Sequence, residues 1–195
     1  MLAKKNADDV IERLREFYYS RSPNRIFAWI NMWKNIPPEE DTYPVEVNRN
    51  ELPPIESIYP HWERYLLARR DIEDDSLPVM SPYQYDQGLY GAIFGADVVI
   101  NPREAPFCCS SMNKPMPSLD FTELEKELEN VESHPWMKRL EKDLTYLANR
   151  SKGRFGIGAL ITIDALNFLF AMLGGKETYI RVHRDLSSLR KFMSF

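Results

Sequence analysis

Six polar or aromatic side chains follow apolar stretches of the sequence and could act on a ligand. They are Asn31, Trp33, Tyr83, Tyr85, Asp86 and Asp164. Amide and phenol groups can hydrogen-bond a ligand, an indole can stack on it, and a carboxyl group can transfer a proton or anchor the ligand. These residue types predict a small-molecule site in which Asp86 and Asp164 are the candidate catalytic groups and the other four contact the substrate.

Four of these side chains also have a purely structural interpretation. Asn31 and Trp33 could pack in a core instead of facing a ligand. Asp86 could be a carboxylate at a helix N-terminus, where the helix dipole favours negative charge. Asp164 could cap its helix, face the site, or do both. The sequence leaves these alternatives open.

The cysteines and histidines do not form a metal-binding pattern. Cys108 and Cys109 are adjacent, a spacing at which a disulfide is strained, and the sequence has no other cysteine. His61, His134 and His183 all fall on predicted helices or helix starts. Because zinc takes three or four ligands in a closed set, we expect no metal, and we expect reduced thiols of the kind found in the cytoplasm.

The elements that position the candidate site are predicted from hydrophobic periodicity and from Pro and Gly signals. Strands are expected near 25–32, 77–81, 97–100 and 155–162. Helices are expected within 1–22, after Pro60, over 85–94, on the charged stretch 120–131, from Ser133 and Pro135, and from Asp164 to 173. Residues 34–59, with five prolines, and residues 101–118 are predicted to be loops.

Strands that alternate with helices favour parallel βαβ units and therefore an α/β fold. The apolar strand predicted at 155–162 fits a sheet that is covered on both faces. We expect one domain over residues 1–195, built from three or four such units, with the candidate side chains at the carboxyl ends of the strands. A complete (βα)8 barrel needs eight units, so the sequence predicts only the N-terminal portion of a TIM barrel.

Four segments, taken in order, carry a resemblance to a known family. They are residues 75–82 (DSLPVMSP) with 87–99 (QGLYGAIFGADVV), 151–158 (SKGRFGIG), 164–175 (DALNFLFAMLGG) and 177–193 (ETYIRVHRDLSSLRKFM). Together they resemble the uroporphyrinogen decarboxylase superfamily, which also contains corrinoid-dependent methyltransferases. No single motif is decisive, and the order and spacing of the segments make the case.

The resemblance implies a (βα)8 barrel of about twice this length, whose later strands carry the His and Cys zinc ligands of the methyltransferases. The family's decarboxylases bind the acidic side chains of a tetrapyrrole with an arginine-rich motif after the first strand. Residues 29–34 (WINMWK) contain no arginine, so an anionic porphyrinogen would lack its bidentate partners.

The expected function is therefore related to corrinoid-linked methyl transfer, with a corrinoid protein as a possible partner and no cofactor bound by this chain alone. One alternative is a decarboxylase, a lyase acting on a tetrapyrrole or another small acid. The other is a non-catalytic subunit that is truncated or completed by another chain.

Composition limits the partners and the location of the chain. The net charge is −4 and the sequence has no Lys/Arg-rich stretch, which argues against nucleic acid. The first residues are charged and do not form a secretory signal, and an ionised Asp164 within the apolar run 155–175 argues against a membrane span. We expect a cytoplasmic protein that self-associates or is completed by another chain, because a partial barrel leaves an apolar sheet edge open.

Overall fold

The computed structural model describes residues 3–19, 26–30, 51–82, 85–96, 98–101, 109–112, 126, 129–160, 164–187 and 190. The helices in this part of the chain are α1 (Ala7–Tyr19), α2 (Ile55–Ala68), α3 (Asp86–Ile93), α4 (Pro135–Ser151), α5 (Ala165–Leu173) and α6 (Gly175–Arg184). The strands are β1 (Val79–Met80), β2 (Val98–Asn101), β3 (Cys109–Met112) and β4 (Gly156–Ile157). This mixture is mostly helical and is compatible with the α/β class.

The chain divides into two compact units. The first contains Met1–Pro44, Pro53–Pro82 and Leu144–Ala159, and the second contains Val45–Leu52, Tyr83–Asp143 and Leu160–Phe195.

In the first unit, β1 and β4 form a parallel pair. Val79 is in register with Gly156, and Met80 with Ile157. The N–H of Gly156 donates to the carbonyl oxygen of Pro78 at 2.8 Å, and the N–H of Gly158 donates to that of Met80 at 2.8 Å. The parallel orientation that was expected of the predicted strands is confirmed for those at 77–81 and 155–162.

The predicted strand at 155–162 is nevertheless too long. Within the described residues only Gly156–Ile157 is strand, and residues 158–160 are not. The partner strand β1 ends at Met80, and Pro82 beyond it has no N–H to donate to a ladder. An apolar run extends as a strand only as far as a neighbour can pair with it.

The predicted strand at 25–32 is wrong for the residues that the structure describes. Residues 26–30 are assigned to no strand, and Ile26 is 95% exposed. The N–H groups of Ala28 and Ile30 donate to carboxylate oxygens of Asp75 and Asp74 instead of to a neighbouring strand. The apolar composition of this segment wrongly predicts a strand. Its main-chain N–H groups bond to the side chains of Asp74 and Asp75, and these side chains stand in place of a neighbouring strand.

Helix α2 begins earlier than predicted. The structure places Ile55–Ala68 in one helix, so the end of the predicted loop 34–59 is helical and Pro60 lies inside the helix instead of before it. Proline in a helix removes one main-chain hydrogen bond. The buried side chains, which recur at helical spacing, offset that loss. They are Ile55, Ile58, Tyr59, Trp62, Tyr65 and Leu66.

In the second unit, β2 and β3 form an antiparallel pair, with Val98 opposite Met112 and Asn101 opposite Cys109. Strand β2 lies where a strand was predicted, but its antiparallel pairing contradicts the parallel βαβ arrangement that was expected for it. Residues 109–112 were predicted to be loop. Their sequence, CSSM, lacks the β-branched residues that would have indicated a strand. The same unit contains an apolar cluster of Ala96, Phe168, Leu169, Met172 and Leu173.

The helices α1, α3, α4 and α5 agree with their predicted positions. Gly153, which has a φ of 74°, follows α4, and Gly95, with a φ of 76°, follows α3. Both adopt the left-handed conformation that favours glycine after a helix. Within the described ranges, no helix is both long enough and apolar enough to cross a bilayer.

Candidate functional site

The carboxyl ends of β1 and β4 lie together because the two strands are parallel. Ser81 follows β1 and Gly158 follows β4. A Cβ at position 158 would clash with the Ser81 hydroxyl and would lie 3.1 Å from Cγ1 of Val79. Glycine therefore permits the close approach of the two chains at this edge. Carboxyl ends of parallel strands are where α/β proteins place ligands, so this edge is the candidate site.

The structure describes only part of the predicted site. Asn31, Trp33 and Tyr83 lie outside the described residues. Asp86 is the first residue of α3, in agreement with the predicted helix N-terminus, and its side chain is outside the description. The described side chains are those of Tyr85 and Asp164.

Asp164 caps α5. Its Oδ1 accepts from the main-chain N–H of Asn167 at 2.9 Å, and its Oδ2 accepts from Nδ2 of Asn167 at 2.6 Å. The hydrogen bond from the main-chain N–H of Asn167 is the main cause that holds the pKa of Asp164 below its ordinary value. The exposed, ionised carboxylate is a weak base. It is therefore better suited to anchoring a hydrogen-bond donor than to abstracting a proton.

Tyr85 is fully buried at the start of α3. Its hydroxyl donates to Oδ2 of Asp143 at 2.7 Å, and Oδ1 of Asp143 accepts from Nε of Arg139 at 3.1 Å. Burial, followed by the hydrogen bond to Asp143, raises the pKa of Tyr85 well above its ordinary value. The phenol stays protonated and has no surface to offer a ligand in this structure. It anchors the helix that carries Asp86.

Asp143 was not among the predicted site residues, although the sequence contained a signal for it. Leu140, Asp143 and Leu147 lie on one face of α4, and all three are buried. A carboxylate at the centre of an apolar helical stripe needs a buried donor, and Tyr85 supplies one.

A second buried carboxylate, Asp74, lies in the first unit and was also missed. Lys4 and Arg69 form ion pairs with it, the latter at 2.6 Å, and all three residues are at least nine-tenths buried. The hydroxyl of Ser76 donates to Oδ1 of Asp74 at 2.7 Å. The N–H of Ile30 donates to Oδ2 of Asp74 at 3.0 Å.

These contacts set the ionisation of Asp74. Burial acts to raise the pKa of Asp74, but the hydrogen bonds from Lys4, Ser76 and the Ile30 N–H outweigh it and hold the pKa far below its ordinary value. Asp74 is therefore ionised at neutral pH and compensates two buried cations.

The described residues contain no group of three or more His, Cys, Asp or Glu side chains placed to hold a metal ion. Comparison with known proteins found no match to a family model, to a curated protein or to a solved structure.

Proposed function

We propose that this chain forms the front part of a uroporphyrinogen decarboxylase-like barrel and that its function is corrinoid-linked methyl transfer. The observation that supports the proposal best is the parallel pairing of β1 with β4. Both strands lie within segments that carry the family resemblance, 75–82 and 151–158. Parallel pairing needs a crossover connection, which is the organisation of a βα-repeat enzyme.

The edge formed by Ser81 and Gly158 is the part of the first unit that supports this proposal. Asp86 and Asp164 begin or cap the helices that follow the two strands in the chain. Asp164 anchors a donor group of the ligand, and Asp86 is the candidate for proton transfer. Tyr85 does not contact the ligand in this proposal but anchors α3, the helix that begins with Asp86. Asn31, Trp33 and Tyr83 remain proposed ligand contacts.

Methyl transfer is preferred to decarboxylation because residues 29–34 supply no arginine for an acidic tetrapyrrole. The described residues do not fit the zinc site of the family's methyltransferases, since they offer no ligand set. The proposal therefore does not include activation of a thiol by the described residues. In it, the corrinoid is a ligand of this chain or is carried by a partner protein.

A second candidate function is that of a subunit completed by another chain. Helix α5 (ALNFLFAML) is apolar apart from Asn167 in its first turn, and Leu166 and Phe170, one turn apart, are 49% and 52% exposed. A helix that is apolar all round is normally buried. This face favours a role in which a partner covers α5.

Equilibrium dialysis of the purified chain against methylcobalamin and against uroporphyrin tests the proposal. We expect the chain to bind the corrinoid, as an exchangeable ligand and not as a resident cofactor, in preference to the acidic porphyrin. Asp164→Asn should weaken corrinoid binding by about tenfold, the usual effect of losing a charged hydrogen-bond partner. Asparagine caps helices as well as aspartate does, so this variant keeps the helix cap while it removes the charge and the hydrogen bond from Nδ2 of Asn167.

Preferential binding of uroporphyrin would support the decarboxylase instead. Binding of neither ligand would contradict methyl transfer by this chain and would favour the partner-completed subunit.

A further inference from the structure

A short segment of the first unit makes four hydrogen bonds through its main chain. We call residues 28–30 the strap. The N–H of Ala28 donates to Oδ2 of Asp75 at 3.0 Å, and its carbonyl oxygen accepts from the N–H of Asp75 at 2.8 Å. The N–H of Ile30 donates to Oδ2 of Asp74 at 3.0 Å, and its carbonyl oxygen accepts from Nη1 of Arg69 at 2.5 Å.

These four hydrogen bonds follow the pattern of a β-strand edge. Ala28 and Ile30, two residues apart, each present both N–H and C=O to the same side, as strand residues do toward an antiparallel neighbour. Trp29, the residue between them, does not take part in these hydrogen bonds, and its side chain is 62% exposed. Asp74, Asp75 and Arg69, which we call the clamp, therefore take the place of a neighbouring strand.

The clamp is built by contacts that do not involve the strap. Lys4 and Ser76 hold Asp74, and Arg69 forms an ion pair with the same carboxylate. Arg13 holds Asp75, with its Nη2 at 2.7 Å from Oδ1. Because the charged groups are fixed in advance, little ordering is needed when an extended main chain binds to them. Hydrogen bonds to ionised groups are also stronger than neutral ones.

We propose that the clamp is a binding site for an extended peptide main chain, which the strap occupies within the same molecule. The ligand it fits has free N–H groups on alternate residues and any side chain between them. This is recognition by strand addition, in which the main chain supplies the affinity. The tethered strap has a high effective concentration, so a free peptide competes only when the strap is weakened.

Ala28→Pro weakens the strap selectively, since proline has no N–H to donate to Asp75. The probe is a fluorescein-labelled peptide of residues 25–31 (RIFAWIN), and its binding is followed by anisotropy. We expect the Ala28→Pro chain to bind the peptide about tenfold or more tightly than the wild-type chain does, and Asp75→Asn added to it should abolish the gain.

Two controls distinguish main-chain recognition from side-chain packing of the peptide. A peptide with proline at the position of Ala28 should not bind, and Trp29→Ala should behave as the wild-type chain does. Equal binding by the wild-type, Ala28→Pro and double-variant chains would overturn the proposal, as would no gain in the Ala28→Pro chain.

Hydrogen exchange of the wild-type chain provides a test that does not depend on a variant folding. The amide protons of Ala28 and Ile30 should exchange more slowly than that of Trp29, because the clamp binds alternate residues. Uniform exchange across the three amides would contradict recognition of an extended main chain.

Discussion

Asp74→Ala is expected to lower the free energy of unfolding by about 3–5 kcal/mol, the usual cost of leaving buried charges without their partner. Asp74 compensates both Lys4 and Arg69, which are 3% and 7% exposed. Without the carboxylate, the two cations face each other in a site with little water. Urea denaturation followed by far-UV circular dichroism measures the loss.

Asp71→Asn is the matched control for this substitution. Asp71 also pairs with a lysine, Lys5, but both side chains are largely exposed, so the change should have little effect. An Asp74→Ala chain with the same urea midpoint as the wild-type chain would contradict the network described for Asp74.

The contribution of Asp74 also has a defined pH dependence. Its pKa is lowered on folding from the ordinary value of 3.8, so its contribution is complete above that pH and is lost as the pH falls below it. The wild-type chain should lose this share of its stability in acid. The Asp74→Ala chain, which lacks the carboxylate, should not.

Asp143→Ala is expected to cost about 2–3 kcal/mol, because it leaves the buried hydroxyl of Tyr85 without an acceptor. Tyr85→Phe removes the donor from the same pair. The double variant should lose less stability than the sum of the two single losses, since the second change no longer breaks a hydrogen bond. Denaturation of the four chains measures this coupling, and strictly additive losses would show that the pair does not stabilise the fold.

The pair should also respond to alkali. The pKa of Tyr85 is raised on folding from 10.0, first by burial and then by Asp143, so its contribution is complete below pH 10 and is lost as the pH rises beyond it. Tyr85→Phe removes that alkaline loss. Its stability should fall less than that of the wild-type chain above pH 10.

Elements with a strong local signal could be predicted from the sequence. Helix α4 combines apolar spacing at Leu140 and Leu147, Pro135 at its first turn and Gly153 after its end, and each signal depends only on near neighbours. The parallel orientation of β1 and β4 was predicted from the alternation of strands and helices, which restricts the possible topologies. The same argument did not predict the antiparallel pairing of β2 with β3.

Elements that depend on distant partners could not be predicted in the same way. Residues 26–30 have the composition of a strand, but their main-chain partners, Asp74 and Asp75, lie far along the chain. Lys4 is also distant in sequence from Asp74, at a separation of 70 positions. Nothing in the local pattern of a charged residue reveals a partner at that separation.

For the candidate site, the sequence indicated the order of the elements along the chain and not the contacts between side chains. The positions of Asp86 and Asp164 after strands β1 and β4 are readable from the sequence. The burial of Tyr85 is not, because it depends on Asp143 in a helix that is 58 positions away. A tyrosine next to a predicted strand end favours a ligand contact, whereas the structure gives Tyr85 a buried carboxylate as its partner.

The proposed site depends most directly on the shared carboxyl edge of β1 and β4, and a disulfide placed there tests it. Ser81→Cys with Gly158→Cys, in a chain whose Cys108 and Cys109 are changed to serine, brings two Cβ atoms to about 3.4 Å, close to the spacing of a disulfide. Leu77→Cys with Gly158→Cys is the control pair, since Leu77 precedes the amino end of β1. We predict that mild oxidation links the first pair and not the second, as measured by mass spectrometry of tryptic peptides. A link in the control pair without one between positions 81 and 158 would show that the strands are not parallel, and it would contradict the proposed site.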